Sequence, residues 1–300
     1  MITVRAPATS ANLGSGFDVF GLALTGPADV IRVEKAPRTR LTVTGAGAKY
    51  IPEDPKRNTV GAVVDALDAP AAIRIDKGVR PASGLGSSAA SAAGAALALN
   101  ALYDRGYSRE ELVSIAAEGE AVAAGDTHED NVAPALLGGF TIATATGVTQ
   151  IDANVPIVVC LPDIVVSTSD ARKVLPDGVR MSELVETVGS AATLTAGMAR
   201  DDPVLVGRGM EESIVTPARA KLIDGYDEVC RRARGAGATG VTISGAGPGV
   251  VAVCPESRQR QVATAMLDGF DNVGVDAKVY QSAVGPGAHI LTGEEIPSSL

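Results

Sequence analysis

The stretch from residue 81 to residue 90, PASGLGSSAA, constrains this chain more than any other. Before it, residues 72–76 alternate apolar and charged side chains as a half-buried strand does. After it, Ser87 to Tyr103 consists mostly of Ala, Ser and Leu, which favour helix. Gly84 and Gly86 let the backbone between these elements adopt unusual dihedral angles and approach an anion closely. The stretch therefore predicts a strand, a flexible loop and the start of a helix, an arrangement that can bind phosphate.

Two interpretations of this loop remain open from the residues alone. Its spacing matches neither the GxxxxGK[ST] loop of P-loop proteins nor the GxGxxG of dinucleotide-binding folds. It could be a tight turn in which Ser87 or Ser88 caps the helix. Phosphate binding is the favoured interpretation of the two, because the helix start adds unpaired N–H groups and the positive end of a dipole.

Composition excludes several classes of protein. The chain has 300 residues, 46% of them hydrophobic, so it can bury a large core in one or two domains. Its net charge of -9 and lack of a basic run argue against nucleic acid as a partner. No segment predicts a signal peptide or a membrane span. The three cysteines are widely separated, which favours a reducing compartment, and we expect the protein in the cytoplasm.

The order of elements predicts two domains. Strands and helices alternate up to residue 144, and turn-forming and polar residues then interrupt the pattern between Thr146 and Pro156. We therefore expect one domain over residues 1–153 and a second over residues 154–300. The last residues, from Thr292 onward, are polar and are expected to fray.

A carboxylate on a predicted helix suggests a ligand. Ser108 and Glu111 form a capping box, and apolar residues follow at helical spacing until Gly125. Glu120 lies on the shoulder of that apolar stripe, where a carboxylate needs a cation, a donor or a metal. The alternative is a carboxylate at the rim that turns out to water.

Three further segments draw attention. Residues 7–18 form a glycine-rich segment that is too long for a simple turn. Residues 127–140 hold one of only two histidines, but HExDN lacks the histidine pair of a zinc peptidase, so zinc chemistry is not expected. Residues 240–253 predict two strands joined by a turn dense in glycine, which can bring backbone near a ligand.

Three motifs together resemble one superfamily of small-molecule kinases, which includes galactokinase, homoserine kinase, mevalonate kinase and phosphomevalonate kinase. They are PATSANLGSGFD at 7–18, PASGLGSSAAS at 81–91 and TISGAGPGVVAV at 242–253. The segments SANLGSGFDVFG, HEDNVAPALLGGF and STSDARKVLP are similar to the homoserine kinase family in particular. The resemblance covers roughly residues 2–285.

The resemblance implies an α+β, two-domain small-molecule kinase fold: an N-terminal βα domain, ribosomal-protein-S5-like and nucleotide-binding, and a C-terminal ferredoxin-like domain. The active site would lie in the cleft between them, and a homodimer would be plausible. It also implies ATP and Mg²⁺ as cofactors and L-homoserine as substrate. The nucleotide would be bound by Asn58, near the adenine, and by Pro81, Ala82, Ser83, Gly84, Leu85, Gly86, Ser87, Ser88, Ala89, Ala90, Gly245 and Gly247.

The remaining site residues follow from the same resemblance. Ser88 and Glu120 match the Mg²⁺ positions, and hard oxygen ligands suit that ion. The substrate side matches Asn12, Asp18, His128, Thr168, Arg172 and Arg219, and arginine pairs well with a carboxylate.

For catalysis the resemblance points to Asn12, Asp130 and Asn131. Many relatives place an Asp as general base where Asn131 stands, and an asparagine cannot accept a proton. The hypothesis is therefore catalysis by positioning and charge stabilisation, with Asp130 as the residue that could restore a conventional base. Other interpretations are a kinase for another alcohol, such as mevalonate or shikimate, and a catalytically silent nucleotide sensor.

Overall fold

The first half of the chain builds a seven-stranded sheet together with one short strand from near the C-terminus. The computed structural model describes residues 1–124 and 128–295. The strands of this sheet are β1 (Ile2–Ala11), β2 (Phe20–Lys35), β3 (Arg40–Gly45), β4 (Ala71–Lys77), β5 (Phe140–Thr144), β6 (Gly147–Ile151) and the short β11 (His289–Ile290). The sheet runs in the order β11-β1-β2-β4-β3, with β5 paired to β2 and β6 to β5. Among these described strands, only β3 and β4 are parallel neighbours.

Helices cover this sheet and carry much of the site. They are α1 (Thr59–Ala66), α2 (Ser87–Tyr103), α3 (Arg109–Ala124) and α4 (Glu129–Leu137). The helix predicted from Ser87 to Tyr103 is confirmed as α2. It packs on β1 and β2, and its small residues allow that close approach: a Cβ atom on Gly94 would collide with Ile31. The capping box is also confirmed, because Ser108 and Glu111 exchange side-chain to backbone hydrogen bonds.

The second half builds a four-stranded antiparallel sheet in the order β10-β7-β9-β8. Helices α9 and α10 pack on it and close a second apolar core that includes Val158, Met266 and Phe270. This arrangement confirms the predicted α+β fold in two parts. The strands are β7 (Pro156–Pro162), β8 (Gly240–Ile243), β9 (Val250–Val253) and β10 (Ala277–Ala283), and the helices are α5 (Thr168–Lys173), α6 (Met181–Met198), α7 (Pro203–Gly209), α8 (Val215–Ala220), α9 (Tyr226–Gly235) and α10 (Gln259–Asp271).

The chain crosses between the sheets twice. Strand β6 occupies part of the predicted linker, so the first crossing lies between Ile151 and Pro156. After β10 the chain returns to the first sheet, where β11 pairs with β1 at Val4 and Arg5. The proposed boundary at residue 153 stays a prediction, and the last strand shows that the C-terminal segment packs against the first sheet.

Two local features differ from what the sequence suggested: the extent of the first strand and the cap of α2. Strand β1 continues into the glycine-rich segment as far as Ala11, because a β-bulge between Pro7 and Thr9 lets the strand pass the proline. The residue that caps α2 is Gly86, in the left-handed region at φ 60°, and neither Ser87 nor Ser88 takes that role. The Ser87 hydroxyl instead donates to the Val79 carbonyl at 2.7 Å.

Some predictions fall on other parts of the chain. The predicted helix stop at Gly125, the start of the 127–140 segment and the end of the tail after residue 295 lie outside the described residues. Among the helices that the structure describes, none has the length and apolar character needed to cross a lipid bilayer.

Candidate active site

A cavity of about 260 Å³ opens where the three motifs meet. Loops and helix ends of both halves line it, from the β1–β2 loop to the turn between β8 and β9. Most of the residues predicted for the site line this cavity, although they are spread over the whole sequence. They are Asn12, Asp18, Asn58, Pro81, Ala82, Ser83, Gly84, Gly86, Ser87, Ser88, Glu120, His128, Asp130, Asn131, Thr168, Arg172, Arg219, Gly245 and Gly247.

Three predicted nucleotide-binding residues do not line the cavity. The side chains of Leu85, Ala89 and Ala90 are buried in the first core. Ala89 and Ala90 lie on the face of α2 that packs on the sheet, and Leu85 points into the same core from the loop just before the helix. The side chains of these three residues therefore support the loop from behind.

The glycine-rich loop has the left-handed backbone conformations that let successive N–H groups point toward one place. Ala82, Gly84 and Gly86 have φ angles of 53°, 75° and 60°. The turn between β8 and β9 holds this loop from the other half of the molecule. The Ser244 hydroxyl donates to the Gly84 carbonyl at 2.7 Å, and the Gly249 N–H donates to the Ser83 carbonyl at 3.1 Å.

The N-terminus of α2 points into the cavity without a capping side chain. Its N-cap residue, Gly86, offers no side-chain acceptor to the first turn. Ser87 and Ser88 in that turn line the cavity. Because the helix is 17 residues long, the N–H groups of its first turn and its dipole make this end favourable for an anion.

A buried ion pair that sequence reasoning missed lies beneath this helix end. Lys77, at the end of β4, lines the cavity and donates to Asp29, to the Ser91 hydroxyl and to the Ser87 carbonyl. Asp29 also accepts from the N–H groups of Gly78 and Val79. The pair therefore ties the strand, the loop and the helix together. The sequence does contain an indication of this buried position. Lys77 lies two and four residues after Ile75 and Ile73, so its side chain is on the same inward face of the strand.

Glu120 and Ser88 are suited to a divalent cation. Glu120 is 2% exposed, and its Oε1 atom has no hydrogen-bond partner among the described residues. The interpretation of Glu120 as a buried carboxylate is confirmed, and the alternative of a rim carboxylate is excluded. Its other oxygen lies 3.6 Å from Nδ1 of His128. A buried carboxylate oxygen that lacks a donor fits a hard cation. The described residues hold no cluster of three or more His, Cys, Asp or Glu side chains suited to a metal, so most ligands would have to come from elsewhere.

Asn131 is oriented by neighbours on both sides. The Thr9 hydroxyl donates to its Oδ1 at 2.9 Å, and its Nδ2 donates to Oδ1 of Asp130 at 3.2 Å. A Cβ atom on Gly86 would clash with Thr9, so the glycine makes room for this arrangement. Burial raises the pKa of Asp130 to about 6, and the negative charge of Asp18 acts in the same direction.

Opposite charges lie side by side at the other end of the cavity. Arg172 donates to both carboxylate oxygens of Asp18, at 2.9 and 3.4 Å. Arg219 is 4% exposed and donates to the carbonyls of Ala171 and Gly245. Burial lowers the pKa of its guanidinium group. Arg172 lies on α5 and Arg219 on α8. The two cations therefore come together only when the chain folds.

Two asparagines hold the walls of the cavity. Asn12 adopts a φ of 71°, donates to the Gly245 carbonyl at 3.0 Å and accepts from the Asp18 N–H at 2.9 Å. Asn58 caps α1, because its Oδ1 accepts from the Val60 N–H at 3.0 Å. Its amide also donates to the Pro52 carbonyl at 2.7 Å, so both ends of its side chain are engaged.

Comparison with known proteins agrees with this geometry. Family models described as GHMP kinases N terminal domain and GHMP kinases C terminal match residues 57–139 and 194–272. The chain is 70% identical to a homoserine kinase of Haloarcula marismortui over 97% of this chain and 100% of that protein. A crystal structure of homoserine kinase from Cytophaga hutchinsonii is 36% identical, with a TM-score of 0.89 over 97% of each chain.

A more distant structure agrees in fold alone. L. major mevalonate kinase, solved in complex with R-mevalonate, has a TM-score of 0.74 at 18% identity. It covers 94% of this chain and 95% of its own. At 70% and 36% identity over nearly the full length, the homoserine kinases are much nearer. The resemblance carried by the three motifs is thereby confirmed, and the chain belongs to the homoserine kinases of the GHMP kinase family.

Proposed function

We propose that this protein transfers the γ-phosphoryl group of ATP to the hydroxyl of L-homoserine and so forms O-phospho-L-homoserine for threonine biosynthesis. One observation carries the proposal: a single cavity joins an anion-binding helix end to an adjacent pair of opposite charges, Asp18 and Arg172. A kinase for a small zwitterionic alcohol needs both features.

The charged end of the cavity is complementary to an α-amino acid. The carboxylate of Asp18 would accept the substrate ammonium, and Arg172 with Arg219 would bind its carboxylate. Thr168 begins α5 four residues before Arg172, so both residues lie on one helix face toward the substrate. We assign Asn12, whose side chain accepts from the Asp18 N–H, and His128 to the substrate wall, since both line the cavity. Mevalonate and shikimate carry no ammonium, so neither would offer a cation to the Asp18 carboxylate.

The opposite end would hold the nucleotide. We assign the phosphates to the backbone of residues 81–88 and to the N–H groups at the start of α2, with Gly245 and Gly247 opposite. The adenine would lie near Asn58, where Ile51 and Pro52 supply an apolar wall. Ser88 and Glu120 would hold Mg²⁺, which supplies charge neutralisation to the transferred phosphoryl group.

We propose that catalysis relies on positioning and charge stabilisation. Asn131, held between Thr9 and Asp130, would orient the attacking hydroxyl without accepting its proton. Asp130 offers a second possibility, since a carboxylate with a pKa near 6 in the cavity could act as a general base.

These two mechanisms make different predictions for two variants. Under positioning, Asn131→Ala loses most turnover and Asp130→Asn retains a substantial part of it. Loss of nearly all turnover in Asp130→Asn, with turnover kept in Asn131→Ala, would establish Asp130 as the base. The measurement is kcat for L-homoserine at saturating ATP and Mg²⁺.

A panel of alcohols tests the function itself. Release of ADP is measured with L-homoserine, mevalonate and shikimate at matched concentrations. We expect turnover of L-homoserine to exceed that of the others by orders of magnitude. Preference for mevalonate or shikimate would indicate the related kinase, and ATP binding without ADP release from any alcohol would indicate a nucleotide sensor.

We further propose a cytoplasmic homodimer. Helix α6 exposes an apolar stripe that a monomer rarely leaves in water: Met181, Val185 and Val188 are 73%, 66% and 61% exposed. All three described cysteines are free and buried, which suits a reducing compartment. Light scattering should give twice the chain mass, and Val185→Lys should reduce it to that of one chain. A monomeric wild-type protein at micromolar concentration would contradict the dimer.

A further inference from the structure

Phe17, in the loop between β1 and β2, lies against both arginines of the charged end. The guanidinium carbon Cζ of Arg219 lies 5.1 Å from the centre of its ring, and that of Arg172 lies 5.8 Å from it. Both distances fall within the range in which a cation is attracted to an aromatic face. Arg219 lies on α8 and Arg172 on α5, so one ring contacts cations from two separate helices.

The loop that carries Phe17 is fixed on both sides of this residue. The Asp18 N–H donates to the Asn12 side chain at 2.9 Å, and the Gly16 N–H donates to the Asn12 carbonyl at 2.9 Å. The buried Ser15 hydroxyl donates to the Gly209 carbonyl at 2.6 Å, which anchors the loop to the second half. Because Asn12 and Asp18 have positive φ angles, the loop holds a backbone shape that few alternatives satisfy.

Two guanidinium groups in one place repel each other, so something must hold them there. Backbone carbonyls hold Arg219 through Nε and Nη1, and Asp18 holds Arg172. A substrate ammonium that binds Asp18 would compete with Arg172 for this carboxylate. The ring contact does not involve the carboxylate, so it can keep Arg172 in place when Asp18 turns to the substrate.

We infer that Phe17 is a positioning residue that holds Arg172 and Arg219 together as one binding fork for the substrate carboxylate. This inference rests on the proposed function. Phe17 is not among the described residues that line the cavity, so it acts on the substrate through the two arginines. It would thereby help select alcohols that carry a carboxylate beside the ammonium.

A double-mutant cycle with Arg172 tests the inference. Phe17→Leu keeps an apolar side chain and removes the aromatic face, and we expect it to raise KM for L-homoserine about tenfold. The kcat and the KM for ATP should change by less than about twofold, because the nucleotide end is untouched. In an Arg172→Gln background the same substitution should raise KM only about threefold, since only the Arg219 contact remains to be lost. Phe17→Tyr, which keeps the ring, should stay within about twofold of wild type.

Other outcomes overturn the inference. An equal factor in both backgrounds, or a parallel rise in KM for ATP, shows that Phe17 supports only the loop. Phe270→Leu, in the second core, is the control: it should lower the melting temperature and leave KM for L-homoserine unchanged. If Phe17→Leu fails to fold by circular dichroism, Phe17→Met takes its place in the cycle.

Failure of the inference can be distinguished from failure of the proposed function. If the wild-type protein releases no ADP with L-homoserine, the proposed function fails and the role of Phe17 fails with it. If the wild type turns over L-homoserine but the cycle is additive, the role of Phe17 alone is refuted.

Discussion

Replacing Asp130 with Asn should stabilise the ligand-free protein, and only above about pH 5. Asp130 is 6% exposed, and burial raises its pKa from 3.8 to about 6. Between these pH values the folded protein binds more protons at this site than the unfolded chain does. Protonated Asp130 therefore does not destabilise the folded protein below about pH 3.8, and the folded protein loses stability at this site as pH rises through about 6 and the buried carboxyl ionises.

The size of the effect follows from the same two values. One pKa unit corresponds to about 1.4 kcal/mol, so a rise from 3.8 to about 6 corresponds to roughly 3 kcal/mol. An asparagine carries no charge and its Oδ1 can still accept from Asn131. Asp130→Asn should thus gain up to roughly 3 kcal/mol at pH 8 and almost nothing at pH 4.

Urea denaturation checks this prediction. Wild type and Asp130→Asn are unfolded at pH 4, 6 and 8 in buffer with a chelator and without nucleotide, and the free energies of unfolding are compared. Asp68→Asn, with an exposed side chain, is the control and should show little change at any of these pH values. A gain that is the same at all three pH values, or a loss at pH 8, would refute the argument that the buried charge is costly.

Three further substitutions test other parts of the site. Ser88→Ala should raise the Mg²⁺ concentration for half-maximal turnover about tenfold or more, with the free energy of unfolding changed by less than about 0.5 kcal/mol, because the side chain is exposed. Lys77→Met should cost roughly 3 to 5 kcal/mol in urea denaturation, because it leaves the Asp29 carboxylate buried without its cation, and the added change Asp29→Leu should recover much of that loss. Gly84→Ala should raise the KM for ATP about tenfold or more, since φ is 75° and the new Cβ would collide with a carbonyl of the facing turn, whereas Gly178→Ala, in open space, should not. A KM for ATP unchanged in the first of these glycine variants would contradict that contact.

The local elements were largely predictable. Alanine-rich sequence, a capping box and glycine placement predicted α2, α3 and the turn between β8 and β9, because short-range preferences govern them. The buried position of Glu120 followed from helical spacing alone as one of two possibilities. The cap of α2 was not predicted: a serine usually takes that role, and Ser87 or Ser88 was only the alternative to phosphate binding, whereas the left-handed loop gives the cap to Gly86.

The contacts between distant segments were not predictable from spacing. The residues around Thr9 in the sequence do not indicate that its hydroxyl orients Asn131, which lies 122 residues away. Nor does the neighbourhood of Phe17 indicate that two arginines from the other half pack on it. These contacts depend on how the strands pair and on how the two halves of the chain pack against each other.

Residue order and residue type were thus enough to predict a strand, glycine loop and helix in succession, a two-part α+β fold and, through three motifs, a kinase family. The tertiary structure alone decided which side chains share the cavity and which charges remain partnered. The physical reason is that helix starts and glycine turns depend on energies within a few residues, whereas the pairs Asp18–Arg172 and Lys77–Asp29 form only where the folded chain brings them together and removes water.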